Sequence, residues 1–135
     1  MSDSIYWFIT ALKNYTNFHG RARRKEYWYF SVINLLVLLA LTVIEYSYNI
    51  RTFDLGFGGS IGLLSSLYLL FIFLPTLTVT TRRLHDTNRS GWWQLLYFVP
   101  VVGVIAIFIC TLENSFPGEN QYGKNPRGKG MLLHY

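Results

Sequence analysis

The sequence has 135 residues, of which 51% are hydrophobic, 18% aromatic and only 14% charged, and its formal net charge is +5. A soluble domain usually has about a quarter of its residues charged, so this composition argues against a soluble domain, although the length would permit one. The single cysteine excludes an intramolecular disulfide and a metal site with two thiolate ligands.

The first fifteen residues, MSDSIYWFITALKNY, predict a short amphipathic helix. Ile5, Phe8, Ile9 and Leu12 recur at helical spacing, a pattern typical of a helix that lies in the membrane interface. A helix packed on the end of a bundle would show the same periodicity. Because the segment lacks a basic start and a continuous apolar run, no cleavable signal peptide is expected.

Three uncharged runs follow, with 18, 27 and 22 residues. Each reaches the length of about 18 residues that a helix needs to cross about 30 Å of hydrocarbon. Buried helices of a soluble bundle would instead carry a polar stripe facing water. The fold class predicted is therefore all-α, an integral membrane helical bundle in one domain. Its predicted parts are an N-terminal segment at 1–26 with the interfacial helix, transmembrane helices at 27–48, 60–81 and 91–112, and a turn-rich tail at 113–135.

Individual residues within these spans carry further signals. Pro75 and Pro100 each remove a backbone hydrogen bond and predict kinks in the second and third spans. The threonines that follow Pro75 are candidates to satisfy the carbonyl group that it frees. Asn34 is expected to hydrogen-bond another helix, because an unpaired amide in hydrocarbon is costly. Cys110 is predicted to be a small core residue.

The distribution of the basic residues predicts an orientation. With three spans, the N-terminal segment and the second loop share one side and carry eight lysines and arginines against four on the other side. The positive-inside rule then places the N-terminus in the cytoplasm and the tail on the periplasmic or extracellular side. The glycine-rich loop at 49–59 is expected to be a flexible external connection. The tail is either a structured cap over the bundle or disordered.

Two polar clusters are predicted to meet on the cytoplasmic face. In FHGRARRKEYWYF, Arg23 and Glu26 are i,i+3 neighbours if the segment is helical. In TTRRLHDTNRSGWW, Asp86 lies three and four residues after Arg83 and Arg82, within ion-pair reach if the helix continues. Ser90 is a natural N-cap for the third helix.

Arginine binds phosphate bidentately, so this face could hold an anionic phospholipid headgroup. The alternative is that the charges serve positive-inside anchoring and ion pairs within the protein. The expected partners are the lipid bilayer with its anionic headgroups, a membrane protein or a second copy of the chain, and no nucleic acid. The candidate residues for binding lipid or a partner are Arg23, Arg24, Glu26, Arg82, Arg83, His85, Asp86 and Arg89.

No catalytic residue, metal site or cofactor is predicted. Catalytic zinc takes three protein ligands at favourable spacing, and His85 with Asp86 and His19 does not offer such spacing. A nucleophile elbow and nucleotide-binding fingerprints are absent from the sequence. Two alternatives stay open. One is a membrane enzyme acting on a lipid-linked substrate through His85 and Asp86. The other is an oligomeric transporter or channel subunit, although the spans carry no ionisable residue at membrane depth.

The motifs FHGRARRKEYWYF, TRRLHDTNRSGWW and FPGENQYGKNP together resemble the bacterial family of unknown function typified by the inner-membrane protein YhaH. The resemblance covers nearly the whole chain and implies a small inner-membrane protein with several helices, without implying a catalytic residue. Asn88 and Asn125 stand where such proteins often have acidic residues, which weakens a cation-binding role. The positions that carry the resemblance are Gly20, Arg21, Arg23, Arg24, Glu26, Tyr27, Trp28, Arg82, Arg83, Leu84, His85, Asp86, Trp92, Trp93, Gly118, Asn120, Gly123 and Pro126.

Overall fold

The structure, a computed structural model, describes residues 2–50, 52–54, 56 and 59–128. It is mostly helical, with one small antiparallel sheet formed by two short strands. In chain order the elements are α1 (Asp3–Lys13), α2 (Arg24–Ser47), β1 (Thr52–Asp54), β2 (Ser60–Gly62), α3 (Leu63–Asp86), a 3₁₀ helix (Gly91–Phe98) and α4 (Val102–Leu112).

The helices α2 and α3 are long and apolar enough to cross a membrane. In the most apolar part of each helix, only 11% of the residues of α2 and 33% of those of α3 are buried. Apolar side chains that point outward all round a helix are expected in lipid rather than in the core of a soluble protein. These helices correspond to the first two predicted spans, and α3 continues past position 81 to Asp86.

The third predicted transmembrane helix, at 91–112, is not a single helix. The 3₁₀ helix and α4 are joined by a tight turn around Pro100, and they pack so closely that a Cβ atom on Gly103 would overlap the carbonyl oxygen of Leu96. At about 2.0 and 1.5 Å per residue, each leg is about 16 Å long, roughly half of the hydrocarbon thickness. Pro100 therefore marks a reversal of the chain instead of the predicted kink. The two legs form a hairpin, called the apolar hairpin below.

The tail after α4 lies at the same end of the bundle as the N-terminal segment. Arg83, in the last turn of α3, donates from Nε to the carbonyl oxygen of Thr111 at 3.1 Å. Arg21 donates to the carbonyl oxygen of Gly118 at 2.9 Å. The predicted topology put the tail on the side opposite the N-terminus, whereas in the structure the hairpin returns the chain to the end of the bundle where the N-terminal segment lies. As far as residue 128 the tail is a structured cap, while Arg51 and Lys129 fall outside the described residues.

The connection at the other end of the bundle contains β1 and β2, which the all-α prediction did not include. The carboxylate of Glu45, in the last turn of α2, accepts hydrogen bonds from Ser65 N at 3.0 Å and Ser65 Oγ at 2.6 Å. It thereby caps the first turn of α3, where backbone N–H groups lack partners within the helix. A Cβ atom on Gly62 would overlap this carboxylate, so a larger residue there would displace the Glu45 side chain from its capping position.

Two smaller predictions are confirmed. The Tyr68 hydroxyl on α3 donates to the side-chain oxygen of Asn34 on α2 at 2.5 Å, which is the predicted bond to another helix. Cys110 is buried in a small apolar cluster with Leu84 and Ile107.

The N-terminal helix α1 packs beside α2, and the residues after it reach into the bundle at Pro75. Pro75 has no N–H group, so the carbonyl of Phe71 loses its partner within the helix. The hydroxyl of Tyr15 donates to this carbonyl oxygen, and the rings of Tyr15 and Phe71 lie 5.8 Å apart. Thr76 and Thr78, which follow Pro75, bond to other carbonyl oxygens. Thr78 Oγ1, for example, donates to the Pro75 carbonyl oxygen at 3.0 Å.

Replacing Tyr15 by phenylalanine is therefore expected to lower the free energy of unfolding by about 1–3 kcal/mol, because the Phe71 carbonyl is left without a donor. In a Pro75→Ala background the alanine N–H restores the helical bond, so Tyr15→Phe should then have little effect. Thermal unfolding of the four proteins in detergent measures the difference. Equal losses in both backgrounds would show that the hydroxyl does not serve the proline carbonyl.

Candidate functional site

The centre of the polar end of the bundle is a buried group of four residues, Arg21, Arg83, Asp86 and Ser115, called the polar hub below. Asp86 is fully buried. Its Oδ1 accepts from Arg21 Nε at 3.0 Å, and its Oδ2 accepts from Ser115 Oγ at 2.6 Å and from Arg83 Nη1. One carboxylate thus joins the N-terminal segment, the end of α3 and the tail.

Both terminal nitrogens of the Arg21 guanidinium group donate hydrogen bonds to the tail. Beyond the Asp86 carboxylate, Arg21 donates to the carbonyl oxygens of Phe116 at 2.7 Å, Gly118 at 2.9 Å, Gly123 at 3.2 Å and Asp86 at 3.3 Å. A guanidinium has five N–H donors, and all five are used here. Arg21 was not among the predicted site residues, although it stood within the motif that carries the family resemblance.

A second buried ion pair joins α2 to α3. Arg82 Nη2 lies 2.7 Å from Glu26 Oε1, and both side chains are about 5% exposed. Arg23, which the helical spacing suggested as a partner for Glu26, instead lies over the ring of Trp7 at 5.6 Å. The alternative to lipid binding was that the charges form ion pairs within the protein. Buried ion pairs are present for four of the candidates, which are Glu26, Arg82, Arg83 and Asp86.

The remaining candidate arginines lie nearer the surface. Arg89 Nη2 donates to Glu113 Oε1 at 2.9 Å in a bidentate pair, and this hydrogen bond raises the pKa of the Arg89 guanidinium. The Arg89 guanidinium also lies over the ring of Trp93 at 5.5 Å. Arg24 is half-buried, and its guanidinium donates to Asn114 Oδ1 at 3.0 Å. Arg24 therefore has no carboxylate partner among the described residues.

His85 lies in the wall of a cavity of about 650 Å³ beside the polar hub. Its Nδ1 is 3.2 Å from the carbonyl oxygen of Gly20, and its ring stacks on Tyr122 with centroids 3.8 Å apart and planes within 2°. The cavity is lined by the loop before α2, one face of α3, the start of the 3₁₀ helix and the tail. The lining residues are Phe18, His19, Gly20, Leu77, Thr81, His85, Ser90, Gly91, Trp92, Gln94, Leu95, Gln121 and Tyr122.

The cavity does not bring together the residues that the enzyme alternative needs. His85 lines it, but Asp86, the other residue of that alternative, belongs to the polar hub. Within the described ranges, no three His, Cys, Asp or Glu side chains lie close enough to hold a metal ion. The carboxylates of Asp86 and Glu26 are thus engaged within the protein, whereas His85 lies in the cavity wall and Arg24 has no carboxylate partner among the described residues.

Sequence comparisons find a family model and relatives that match most of the chain. The family model described as "Protein of unknown function (DUF805)" matches residues 15–124. The Inner membrane protein YhaI of Escherichia coli K12 is 48% identical over 125 residues, covering 91% of this chain and 97% of its own. The Inner membrane protein YhaH of the same strain is 39% identical over 121 residues, covering 90% and 96%. No solved structure matches the chain significantly. Because YhaI and YhaH are inner membrane proteins, their similarity supports the predicted membrane location of this chain.

Proposed function

The chain belongs to the DUF805 family of proteins of unknown function, and we propose that it is a non-enzymatic inner-membrane component whose cytoplasmic face binds anionic phospholipid headgroups. The membrane part of the proposal rests on α2 and α3 and on relatives that are inner membrane proteins. The lipid part rests on the charges at the start of α2.

In the proposed topology α2 and α3 cross the membrane, the apolar hairpin enters it and returns, and both termini are cytoplasmic. Among the described residues, every lysine and arginine belongs to the segments that flank α2 and α3 at the tail end, or to the helix ends that meet there. Positive charge on the cytoplasmic side is the usual determinant of orientation. The proposed arrangement fits this rule better than three spans with the tail outside.

The observation that carries the lipid proposal is an unneutralised helix start. Arg23, Arg24 and Lys25 occupy the N-cap and the first two positions of α2, and no side chain caps this end. The start of a helix is already the positive end of its dipole. The acidic residue of the first turn, Glu26, is engaged by Arg82. A phosphate group would meet both the free N–H groups and the cations, as anions do at other helix starts.

Other charges at this end are neutralised within the protein. Salt bridges engage Arg21, Arg82, Arg83 and Arg89. A basic residue near an anionic membrane surface contributes about 1 kcal/mol to binding, so the basic residues without a salt bridge are the ones available to a headgroup. In the part of the chain that the structure describes, the basic residues without a salt bridge are Lys13, Arg23, Arg24, Lys25, Lys124 and Arg127. Among them, only Arg23, Arg24 and Lys25 also lie beside the backbone N–H groups at the start of α2.

The variant Arg23→Gln/Arg24→Gln is expected to retain at least tenfold less phosphatidylglycerol than the wild type, since two charges contribute roughly 2 kcal/mol. The measurement is native mass spectrometry of protein released from nanodiscs that contain phosphatidylglycerol and phosphatidylcholine. Arg82 and Arg83 are unsuitable for this test, because their loss would break buried pairs and unfold the site.

The matched control is Lys13→Gln/Lys124→Gln, which removes the same charge from exposed positions. If net charge alone attracts the lipid, both double variants will lose phosphatidylglycerol equally, and the helix start has no special role. If neither variant loses it, the headgroup proposal is wrong.

A further inference from the structure

The cavity beside His85 has a chemistry different from that of the cationic helix start. No lysine, arginine, aspartate or glutamate is found among its lining residues in the described part of the chain. Leu77, Trp92 and Leu95 supply apolar surface on the side of α3 and the 3₁₀ helix. Trp92 is 77% exposed and Leu95 54%, so this side opens to the surroundings of the helices. An anionic group would find no counter-charge here, whereas an uncharged amphiphile needs none.

The hydrogen bond to Gly20 determines what His85 offers a ligand. A carbonyl oxygen only accepts, so the proton must be on Nδ1 of His85. In the neutral imidazole, Nε2 is then an acceptor without a proton. No carboxylate lines the cavity among the described residues to stabilise an imidazolium ion. Stacking on Tyr122 holds the ring in place, so Nε2 presents a fixed lone pair.

Gln94 presents a second acceptor in the same cavity. Its amide nitrogen donates to Thr81 Oγ1 at 2.6 Å and to the Leu77 carbonyl oxygen at 3.4 Å. With its nitrogen engaged, the amide offers its oxygen, which accepts two hydrogen bonds. The same lining includes donors, the hydroxyl groups of Ser90 and Tyr122 and the indole N–H of Trp92. A hydroxyl group, which both donates and accepts hydrogen bonds, therefore suits this uncharged, mainly apolar cavity. A volume of about 650 Å³ lies within the range of about 300–1,000 Å³ typical of small-molecule sites.

We propose that this cavity binds a neutral lipid alcohol of the diacylglycerol class, with its hydroxyl group donating to Nε2 of His85 and its acyl part against Leu77 and Leu95. A quinone, which has acceptor carbonyls and no donor, fits these two acceptors poorly. An anionic phospholipid fits the cationic helix start instead. The inference therefore adds a second and chemically distinct lipid site to the proposed function.

The test uses the full chain in phosphatidylcholine nanodiscs that contain dioleoylglycerol, with native mass spectrometry to count retained ligand. The wild type is expected to retain one molecule. His85→Phe keeps a stacked ring but removes the acceptor, and should retain about three- to tenfold less. Leu95→Trp fills the apolar part and should retain at least about tenfold less. Leu70→Trp, at an exposed position of α3 outside the cavity, is the matched control and should retain the ligand.

The acetate ester of dioleoylglycerol tests the hydroxyl group without changing the protein. It lacks the donor, so the wild type should retain it about three- to tenfold less than the alcohol. Equal retention of ester and alcohol would overturn the proposal, even if His85→Phe fails to fold. Displacement of dioleoylglycerol by an equal amount of phosphatidylglycerol or of a quinone would also overturn it, because the cavity would then prefer a ligand without its predicted chemistry.

Discussion

Replacing Asp86 by alanine is expected to lower the free energy of unfolding by about 3–5 kcal/mol, the range for removing one partner from a buried ion pair. Arg21 and Arg83 have side chains that are 1% and 0% exposed, and each lies against the Asp86 carboxylate. Without that carboxylate two buried guanidinium groups lose their counter-charge, and the tail loses the group around which it is anchored. The structure should therefore be lost first around the polar hub, and the tail should be released before the rest of the protein unfolds.

Tryptic cleavage measures this release directly, since Lys124 and Arg127 lie in the anchored tail. In Asp86→Ala, cleavage at these sites should precede thermal unfolding and should be at least tenfold faster than in the wild type. Ser115→Ala is the control, because it removes only one hydrogen bond to the same carboxylate, with an expected cost of about 1 kcal/mol. Similar cleavage rates in the two variants would show that Asp86 does not hold the two arginines in the folded protein.

Local features of the polar hub could be predicted from the sequence, and distant ones could not. The pair Arg83–Asp86 follows from helical spacing, and Ser90 caps the next helix as its residue type suggests. The pair Arg82–Glu26 depends on which helix ends meet. The bonds from Arg21 to the tail cross more than 90 residues of sequence and depend on backbone carbonyls, which any residue type supplies.

The same distinction between local and distant contacts explains which apolar segments could be predicted from the sequence. Length and apolarity predicted α2 and α3, because a helix in lipid satisfies its own backbone and needs no distant partner. The third run is equally apolar, yet it reverses at Pro100. Val101 in this turn has φ 63°, a value that is rare for a β-branched residue. A window of hydrophobicity does not detect such a turn. The signals for it were Pro100 and, three residues later, Gly103.

Replacing Gly103 by alanine is the second change for which a large effect is expected. In the interior of a single helix over 91–112 this substitution would be stabilising by about 1 kcal/mol. In the apolar hairpin the added Cβ atom would overlap the backbone carbonyl of Leu96, which has no flexible side chain to move aside. Forcing the legs apart should cost about 1–3 kcal/mol and disturb the contact of Arg83 with the end of α4. The sign of the change in stability therefore distinguishes the apolar hairpin from a single helix over 91–112.

Val104→Ala on the neighbouring, half-exposed position of α4 is the control, since it raises helix propensity without entering the hairpin contact. Thermal unfolding should show a loss for Gly103→Ala and almost no change for Val104→Ala. If residues 91–112 instead formed one spanning helix, Gly103→Ala would stabilise the protein, and the tail would be on the side opposite the N-terminus.

A reporter that is active only in the cytoplasm, fused after the tail, tests independently on which side of the membrane the tail lies. Activity in the wild type, together with destabilisation by Gly103→Ala, would support a hairpin that enters the membrane and returns. Stabilisation with an inactive reporter would instead restore the three-span topology.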